Sequence, residues 1–189
     1  KILNLENNFI DDLFLKNLSK LNYPTLTHLY LKNNSIRKEG ARYIANSNLP
    51  YLLDIDLTNN DLREIGVKEL FSSKNIKHIQ KINLSKNKIG KIGLQCICDL
   101  KLIDLMYLNV SFNNLKAEEM LSLSNAKFQS LEYINLTGNK ISDNGIKNLL
   151  SGNLIFYGKL KVLILSPNLF FIVAILTCQI MSNITIFKL

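Results

Sequence analysis

The stretch LTHLYLKNNSI at residues 26–36 decides the fold, because its apolar residues and its second asparagine follow the spacing L-x-x-L-x-L-x-x-N-x-I. The same spacing returns as LLDIDLTNNDL at 52–62 and as LEYINLTGNKI at 131–141. Four shorter copies are built on Leu3-x-Leu5-x-x-Asn8, Ile82-x-Leu84-x-x-Asn87, Leu108-x-Val110-x-x-Asn113 and Leu163-x-Leu165-x-x-Asn168. The seven copies recur every 26 to 29 residues. Self-similarity at this period predicts stacked repeats that form a solenoid.

The first half of each copy alternates apolar and polar residues, as in Leu29-Tyr30-Leu31, which predicts a short strand with one buried face. An asparagine follows where the chain must turn away from the sheet. Its amide group can bond the backbone groups of that turn. Stacking of the copies therefore predicts a structural ladder of asparagines at Asn8, Asn34, Asn60, Asn87, Asn113, Asn139 and Asn168.

The second half of each copy changes to helical spacing. Glycine stands six residues after the ladder asparagine in four copies, at Gly40, Gly66, Gly93 and Gly145. Gly40-Ala41-x-x-Ile44-Ala45 predicts one apolar helix face that meets the sheet. A glycine that recurs inside a helix predicts close packing against the neighbouring helix. Glu119 and Phe14 occupy the glycine position in two other copies.

Strand, turn and helix at this period predict an α/β fold, a right-handed solenoid shaped as a horseshoe arc. Parallel strands line its concave face and helices its convex face. The repeats occupy residues 1–168, and a hydrophobic tail follows at 169–189. Because Lys1-Ile2-Leu3 already reads as strand, we expect the chain to be a fragment of a larger protein.

The pattern with glycine in its helical half resembles the ribonuclease-inhibitor-like class of leucine-rich repeats, from Ile2 to about Phe170. That class includes ribonuclease inhibitor, NOD-like receptors, Ran GTPase-activating protein and GALA-type effectors. The resemblance implies helix-backed units and a non-catalytic protein–protein interaction module. Two alternatives are the substrate-recognition part of a ubiquitin ligase or F-box-type effector and a GTPase-activating protein of the Ran type. The acidic tail of the Ran activator is absent from this sequence, and none of its functional positions can be matched.

The tail has no charged residue from Leu169 to Phe187 and allows three interpretations. A terminal or capping repeat would use Met181-x-x-Ile184-x-Ile186 as its strand, with Ile184 and Ile186 beside Leu163 and Leu165. A mis-predicted exon end would make the tail foreign to the native protein. A membrane anchor is the third interpretation, because the stretch is long enough to span a bilayer. No other segment is a candidate anchor.

The titratable residues argue against an enzyme. His28 and His78 are the only two histidines, and they stand too far apart in the array for a metal site or a catalytic set. We therefore expect no cofactor and no metal. Cys96, Cys98 and Cys178 are too few for the disulfide-bonded caps of extracellular arrays, which favours an intracellular and cytoplasmic location.

The net charge of +8 raises the question of nucleic-acid binding. Binding of that kind needs basic residues in one groove with stacking aromatics. Here the basic residues are predicted on or near the helical halves, and we expect no nucleic-acid partner. They are Arg37, Lys38, Arg42, Arg63, Lys68, Lys88, Lys91, Lys140 and Lys147.

The concave face is the predicted site for a protein partner. Two columns of outward residues are expected there. One contains His28, Asp54, Lys81, Tyr107, Tyr133 and Val162, and the other contains Asn4, Tyr30, Asp56, Asn83, Asn109, Asn135 and Ile164. Exposed aromatics are typical anchors of protein interfaces. The predicted contact residues are Tyr30, Asp54, Asp56, Lys81, Lys86, Tyr107, Phe112 and Tyr133.

Overall fold

One parallel sheet runs through the molecule in chain order from β1 to β8. The computed structural model describes residues 1–151, 159–165 and 185–188. The strands are β1 Ile2–Asn4, β2 His28–Tyr30, β3 Asp54–Asp56, β4 Lys81–Asn83, β5 Tyr107–Asn109, β6 Tyr133–Asn135, β7 Val162–Leu165 and β8 Thr185–Lys188. Each strand pairs only with the strands of the repeats beside it, which is the arrangement of a solenoid.

The strand register follows the sequence pattern. Leu29 pairs with Ile55, and Ile55 with Ile82, so the central residue of each strand stacks on its equivalents. These central residues are buried at 0 to 2% exposure from β2 to β7 and belong to one continuous core. The predicted alternation of buried and outward residues is thereby confirmed.

A helix follows each of the first six strands, which confirms the predicted α/β repeat solenoid. The helices are α1 Asp12–Leu18, α2 Lys38–Asn46, α3 Arg63–Phe71, α4 Gly90–Cys98, α5 Ala117–Ser124 and α6 Asp143–Ser151. A short 3-10 helix also lies at Lys74–Ile76. In α2 the buried residues are Gly40, Ala41, Ile44 and Ala45, as the helical spacing predicts.

The recurring glycines lie where neighbouring helices come close. A Cβ atom on Gly66 would stand 3.3 Å from the Cα of Lys38, and one on Gly145 would stand 3.0 Å from the Cα of Ala117. Both of those atoms belong to the backbone of the preceding helix. The predicted close packing is therefore present.

Glu119 occupies the glycine position of α5 and is only 6% exposed. Its Oε2 accepts a hydrogen bond from the backbone N–H of Lys116 at 2.8 Å, at the start of the same helix. Burying a carboxylate costs free energy unless it is hydrogen-bonded. The bond from Lys116 satisfies the Glu119 carboxylate and caps the start of α5, where backbone N–H groups have no partner within the helix.

The tail strand β8 extends the sheet, but its predicted register is wrong. Ile186 pairs with Leu163, whereas the sequence pattern placed it beside Leu165, a difference of two residues. Lys188 pairs with Leu165 instead. Asn168, the tail residues 169–184 and Leu189 lie outside the described residues. Within the described part of the chain, no helix is long and apolar enough to cross a membrane.

Candidate functional site

The outward residues of the sheet form two columns. The first, called here the central column, runs His28, Asp54, Lys81, Tyr107 and Tyr133 in strand register. The second column runs Asn4, Tyr30, Asp56, Asn83, Asn109 and Asn135. Both columns agree with the sequence analysis as far as β6. In β7 the expected outward residue Ile164 is instead 8% exposed and buried.

Tyr107 and Tyr133, called here the tyrosine pair, stack face to face on the outward side of β5 and β6. Their ring centroids are 4.4 Å apart and the ring planes differ by 9°. Both side chains are half-buried. Burial raises the pKa of Tyr107 to about 12, and the neighbouring Tyr133 adds to the rise. The Tyr107 phenol is protonated at neutral pH, as an ordinary tyrosine also is.

Asp54 lies on the acidic side of the central column. Its Oδ2 accepts a hydrogen bond from the Tyr30 hydroxyl at 3.2 Å. Partial burial raises the pKa of the Asp54 carboxyl, while the Tyr30 bond and the nearby Lys81 lower it, and the net direction is upward. The fold thus holds a partly desolvated carboxylate on its outward face at a cost in free energy.

Asp56 has a structural role that the sequence analysis missed. Its Oδ1 accepts the backbone N–H of Thr58 at 2.7 Å, and its Oδ2 accepts the Asn83 side-chain amide at 3.1 Å. Asn83, Asn109 and Asn135 make the same bond to the backbone two residues on. This turn explains the run of Asp and Asn in the second column, since both side chains close such turns.

An open cleft of about 310 Å³ lies on the sheet face between the acidic and aromatic residues. It is lined by Glu6, Tyr30, Asp54, Asp56, Lys81, Asn83 and Tyr107. Five of the predicted contact residues meet in this cleft. Glu6 was not predicted, because it follows β1 at a position where the other copies carry Lys, Thr or Ser, so no column singled it out.

Phe112 contacts Lys86 and Gly138 beyond the end of β5. The Phe112 ring covers Gly138, where a Cβ atom would overlap the ring. The Lys86 ammonium lies over the same ring, 5.5 Å from its centroid. Among the described residues, no ring contact joins Phe112 to either tyrosine. Phe112 remains 51% exposed and forms a separate feature at the rim of the sheet.

The residue before each ladder asparagine has a positive φ in six repeats, a second feature that sequence reasoning missed. These residues are Asn7, Asn33, Asn59, Lys86, Phe112 and Gly138. The amide of Asn33 donates to Asn7 at 2.8 Å, and that of Asn59 donates to Asn33 at 2.9 Å. The available signal was the doubled asparagine, because Asn and Gly tolerate the left-handed region better than other residues.

The predicted ladder positions bond across the repeats. Asn87, Asn113 and Asn139 are buried, and the amide of each donates to carbonyls of its own turn and of the preceding repeat. Asn60 is also buried, and Asn34 is half-buried with similar bonds. Asn8 differs, since it is exposed and, among the described residues, its side-chain amide donates only to the carbonyl of Glu6.

The histidines and the other possible metal ligands form no cluster within the described residues. His28 lies in β2 near Thr27, and His78 pairs with Asp104 at 3.0 Å on the surface. No group of three or more His, Cys, Asp or Glu residues in the described ranges is placed to hold a metal ion. Several helix-side cations are paired, as Lys88 is with Asp61 at 3.0 Å.

Comparison with known families gives one result. A family model described as leucine-rich repeat matches residues 24–45, 75–98 and 129–150. No curated protein matches the chain. The matched segments contain β2 with α2, the region around β4 with α4, and β6 with α6. The chain therefore carries leucine-rich repeats at three positions, within an α/β solenoid that continues the same geometry through the segments between them.

Proposed function

We propose that this chain is a non-catalytic recognition array that binds another protein on the outward face of its sheet. Leucine-rich repeats are in general protein-interaction modules, and the repeats found here support that general role. The observation that carries the proposal is the tyrosine pair, two stacked and half-buried aromatic rings beside an open cleft.

The tyrosine pair has the properties of an interface anchor. A tyrosine side chain offers a large apolar surface with few rotatable bonds, so little conformational entropy is lost when a partner covers it. Stacking against each other holds both rings in place before any partner arrives. Each phenol also offers a hydrogen-bonding group at the edge of that surface. Residues of this type dominate binding energy at protein interfaces.

The helix side of the solenoid has fewer features of a binding surface than the sheet face. Some of its charges form exposed pairs, such as Lys91 with Glu118 at 3.1 Å and Arg63 with Asp61 at 2.9 Å. Exposed pairs of this kind contribute little free energy. The sheet face combines aromatic area, a cleft and unequal charge, and we therefore place the binding surface there.

A double substitution tests the proposal. The Tyr107→Ala/Tyr133→Ala variant removes the anchor and should lower affinity for a native partner, recovered with the wild-type chain, by at least about 2 kcal/mol. Affinity is measured by calorimetry on the recovered partner. Circular dichroism should show an unchanged fold, because the central residues beneath the pair, Leu108 and Ile134, are untouched.

The matched control is an Arg42→Ala/Lys68→Ala variant, which removes two large side chains from the helix side. Affinity of the control should stay within about 0.5 kcal/mol of the wild type, as is usual for exposed positions away from an interface. Normal binding by the tyrosine variant together with lost binding by the control would show that the helix side is the binding surface.

A further inference from the structure

Resting on the function proposed above, we propose that the partner contributes an extended segment whose basic side chain enters the cleft at Asp54. An apolar side chain four positions along that segment covers the tyrosine pair. The segment crosses the strands, and the side chain between these two faces Lys81.

The charge of the cleft differs from that of the whole molecule. The full chain has a net charge of +8. The cleft is lined by the carboxylates of Glu6, Asp54 and Asp56 and by a single ammonium group, that of Lys81. A local excess of negative charge within a basic protein selects a basic group at this point, since complementary potentials guide specific encounters.

Of the two cleft carboxylates on β3, the strand in register with the tyrosine pair, Asp54 has the greater remaining capacity to accept a hydrogen bond. Both oxygens of Asp56 already accept bonds, from Thr58 and Asn83. Asp54 uses Oδ2 for the Tyr30 hydroxyl, and within the described residues its Oδ1 accepts no hydrogen bond. An arginine or lysine of the partner can therefore donate to Oδ1. The rings of Tyr30 and Tyr107 also line the cleft and can contact a cation or its aliphatic stem.

The spacing of the sheet sets the spacing on the partner. Asp54 lies on β3, and the tyrosine pair lies on β5 and β6 in the same register. At about 4.8 Å per strand, the pair stands roughly 10 to 14 Å from Asp54. Side chains on one face of an extended chain are separated by two residues, and four residues span about 13 Å. The intermediate side chain then lies near Lys81 on β4, where an acidic group is favoured.

Two labelled peptides of identical composition test this arrangement against the whole chain. The probe peptide carries Arg, Glu and Phe at alternate positions with Ser and Thr between them, and the control peptide exchanges Arg and Glu. Binding is followed by fluorescence anisotropy at low salt. The probe should bind at least about fivefold more tightly than the control, a difference of about 1 kcal/mol.

Protein variants then assign the effect to the cleft. Asp54→Asn keeps the size of the side chain and its acceptor for Tyr30. It should weaken the probe about fivefold and should not weaken the control peptide, whose Glu would face the Asp54 carboxylate. Glu118→Gln removes an exposed carboxylate from helix α5 that does not line the cleft, and it should change the binding of neither peptide.

The outcomes separate this inference from the proposed function. Equal binding of both peptides, or no saturable binding of the probe, overturns the inference. If peptide binding needs the tyrosine pair but ignores the order of Arg and Glu, the sheet face remains the binding surface and the basic side chain is wrong. Probe binding that survives the Tyr107→Ala/Tyr133→Ala variant overturns the inference and also counts against the proposed function.

Discussion

Asn113 shows at the scale of one residue how the repeats are joined. Its side chain has 0% exposure. Its Oδ1 accepts the backbone N–H groups of Asn87 at 2.8 Å and Ile89 at 3.3 Å, while its amide donates to Leu84 and Ser111. Two turns therefore depend on one side chain, since within the described residues the buried N–H groups of Asn87 and Ile89 bond only to Asn113.

We expect Asn113→Ala to lower the free energy of unfolding by about 1–3 kcal/mol, because several buried backbone groups lose their partner. Urea denaturation measures the change. Asn8→Ala is the matched control, since Asn8 is exposed and its amide donates one bond, to Glu6. The control should lose less than about 0.5 kcal/mol. Equal losses at both positions would mean that the buried hydrogen bonds of Asn113 contribute no more to the free energy of unfolding than the exposed bond of Asn8.

The Asp54 carboxylate, unlike Asn113, is expected to lower the stability of the fold at neutral pH. A folded-state pKa above the ordinary value of 3.8 means that the protonated carboxyl favours folding. The protonated carboxyl stabilises the fold at pH values below 3.8. This contribution is lost as the pH rises through the raised pKa of the folded state. At neutral pH the ionised carboxylate thus opposes folding.

Asp54→Asn should therefore stabilise the protein at pH 7, by less than about 1 kcal/mol because water screens a group this exposed. The gain should disappear when the pH falls below the ordinary carboxyl pKa. Urea melts at both pH values test this. A variant that is less stable than wild type at neutral pH would show that the Asp54 carboxylate supports the fold and is not held there at a cost in free energy.

Helix spacing is set at the scale of the element. Helices α5 and α6 pack closely because Gly145 leaves no Cβ between them. A methyl group there would stand 2.7 Å from Ile141 Cγ2 and 3.0 Å from Ala117 Cα. Glycine costs a helix interior about 1 kcal/mol relative to alanine, so its presence at four equivalent positions is explained by packing.

We expect Gly145→Ala to destabilise the protein by about 1–2 kcal/mol net, because overpacking against backbone outweighs the gain in helix propensity. Thermal and urea melts provide the measurement. Asn144→Ala, at the adjacent exposed position of the same helix, is the control and should leave stability within about 0.5 kcal/mol of wild type. A stabilised Gly145→Ala variant would show that the helices can separate at little cost.

At the scale of the whole molecule, stability comes from contacts between neighbouring repeats. Strand β8 covers the edge of β7 through four paired residues, from Val162↔Thr185 to Leu165↔Lys188. An uncovered parallel strand presents a row of unpaired N–H and C=O groups to other chains.

Truncation after Pro167 removes β8, and we expect the shortened chain to aggregate more readily and to have a Tm lower by about 5 °C. Light scattering and thermal melts against a chain lacking only Leu189 would show the difference. If the truncated chain melts and remains dispersed like the full chain, the tail does not complete the solenoid, and the other two interpretations of the tail are favoured.

The order of side chains along the sheet followed from the sequence alone. A period of two places Leu29, Ile55 and Ile82 inward and Asp54, Lys81 and Tyr107 outward, and equal spacing brings equivalent positions into register. The helix faces followed in the same way from the spacing after each glycine. These properties depend on local geometry repeated many times, and a repeated local rule is visible in a single sequence.

The tertiary structure decided which of the outward side chains are available. Asp54 and Asp56 both face outward by the alternating pattern. Asp56 uses one oxygen to close a turn and the other to accept from Asn83, while Asp54 keeps one oxygen free among the described residues. The Phe112 ring packs over Gly138, and Glu6 lines the cleft together with residues of β2, β3, β4 and β5. Such outcomes depend on rotamers and on partners in other repeats, which stacking determines and the period of one repeat does not encode.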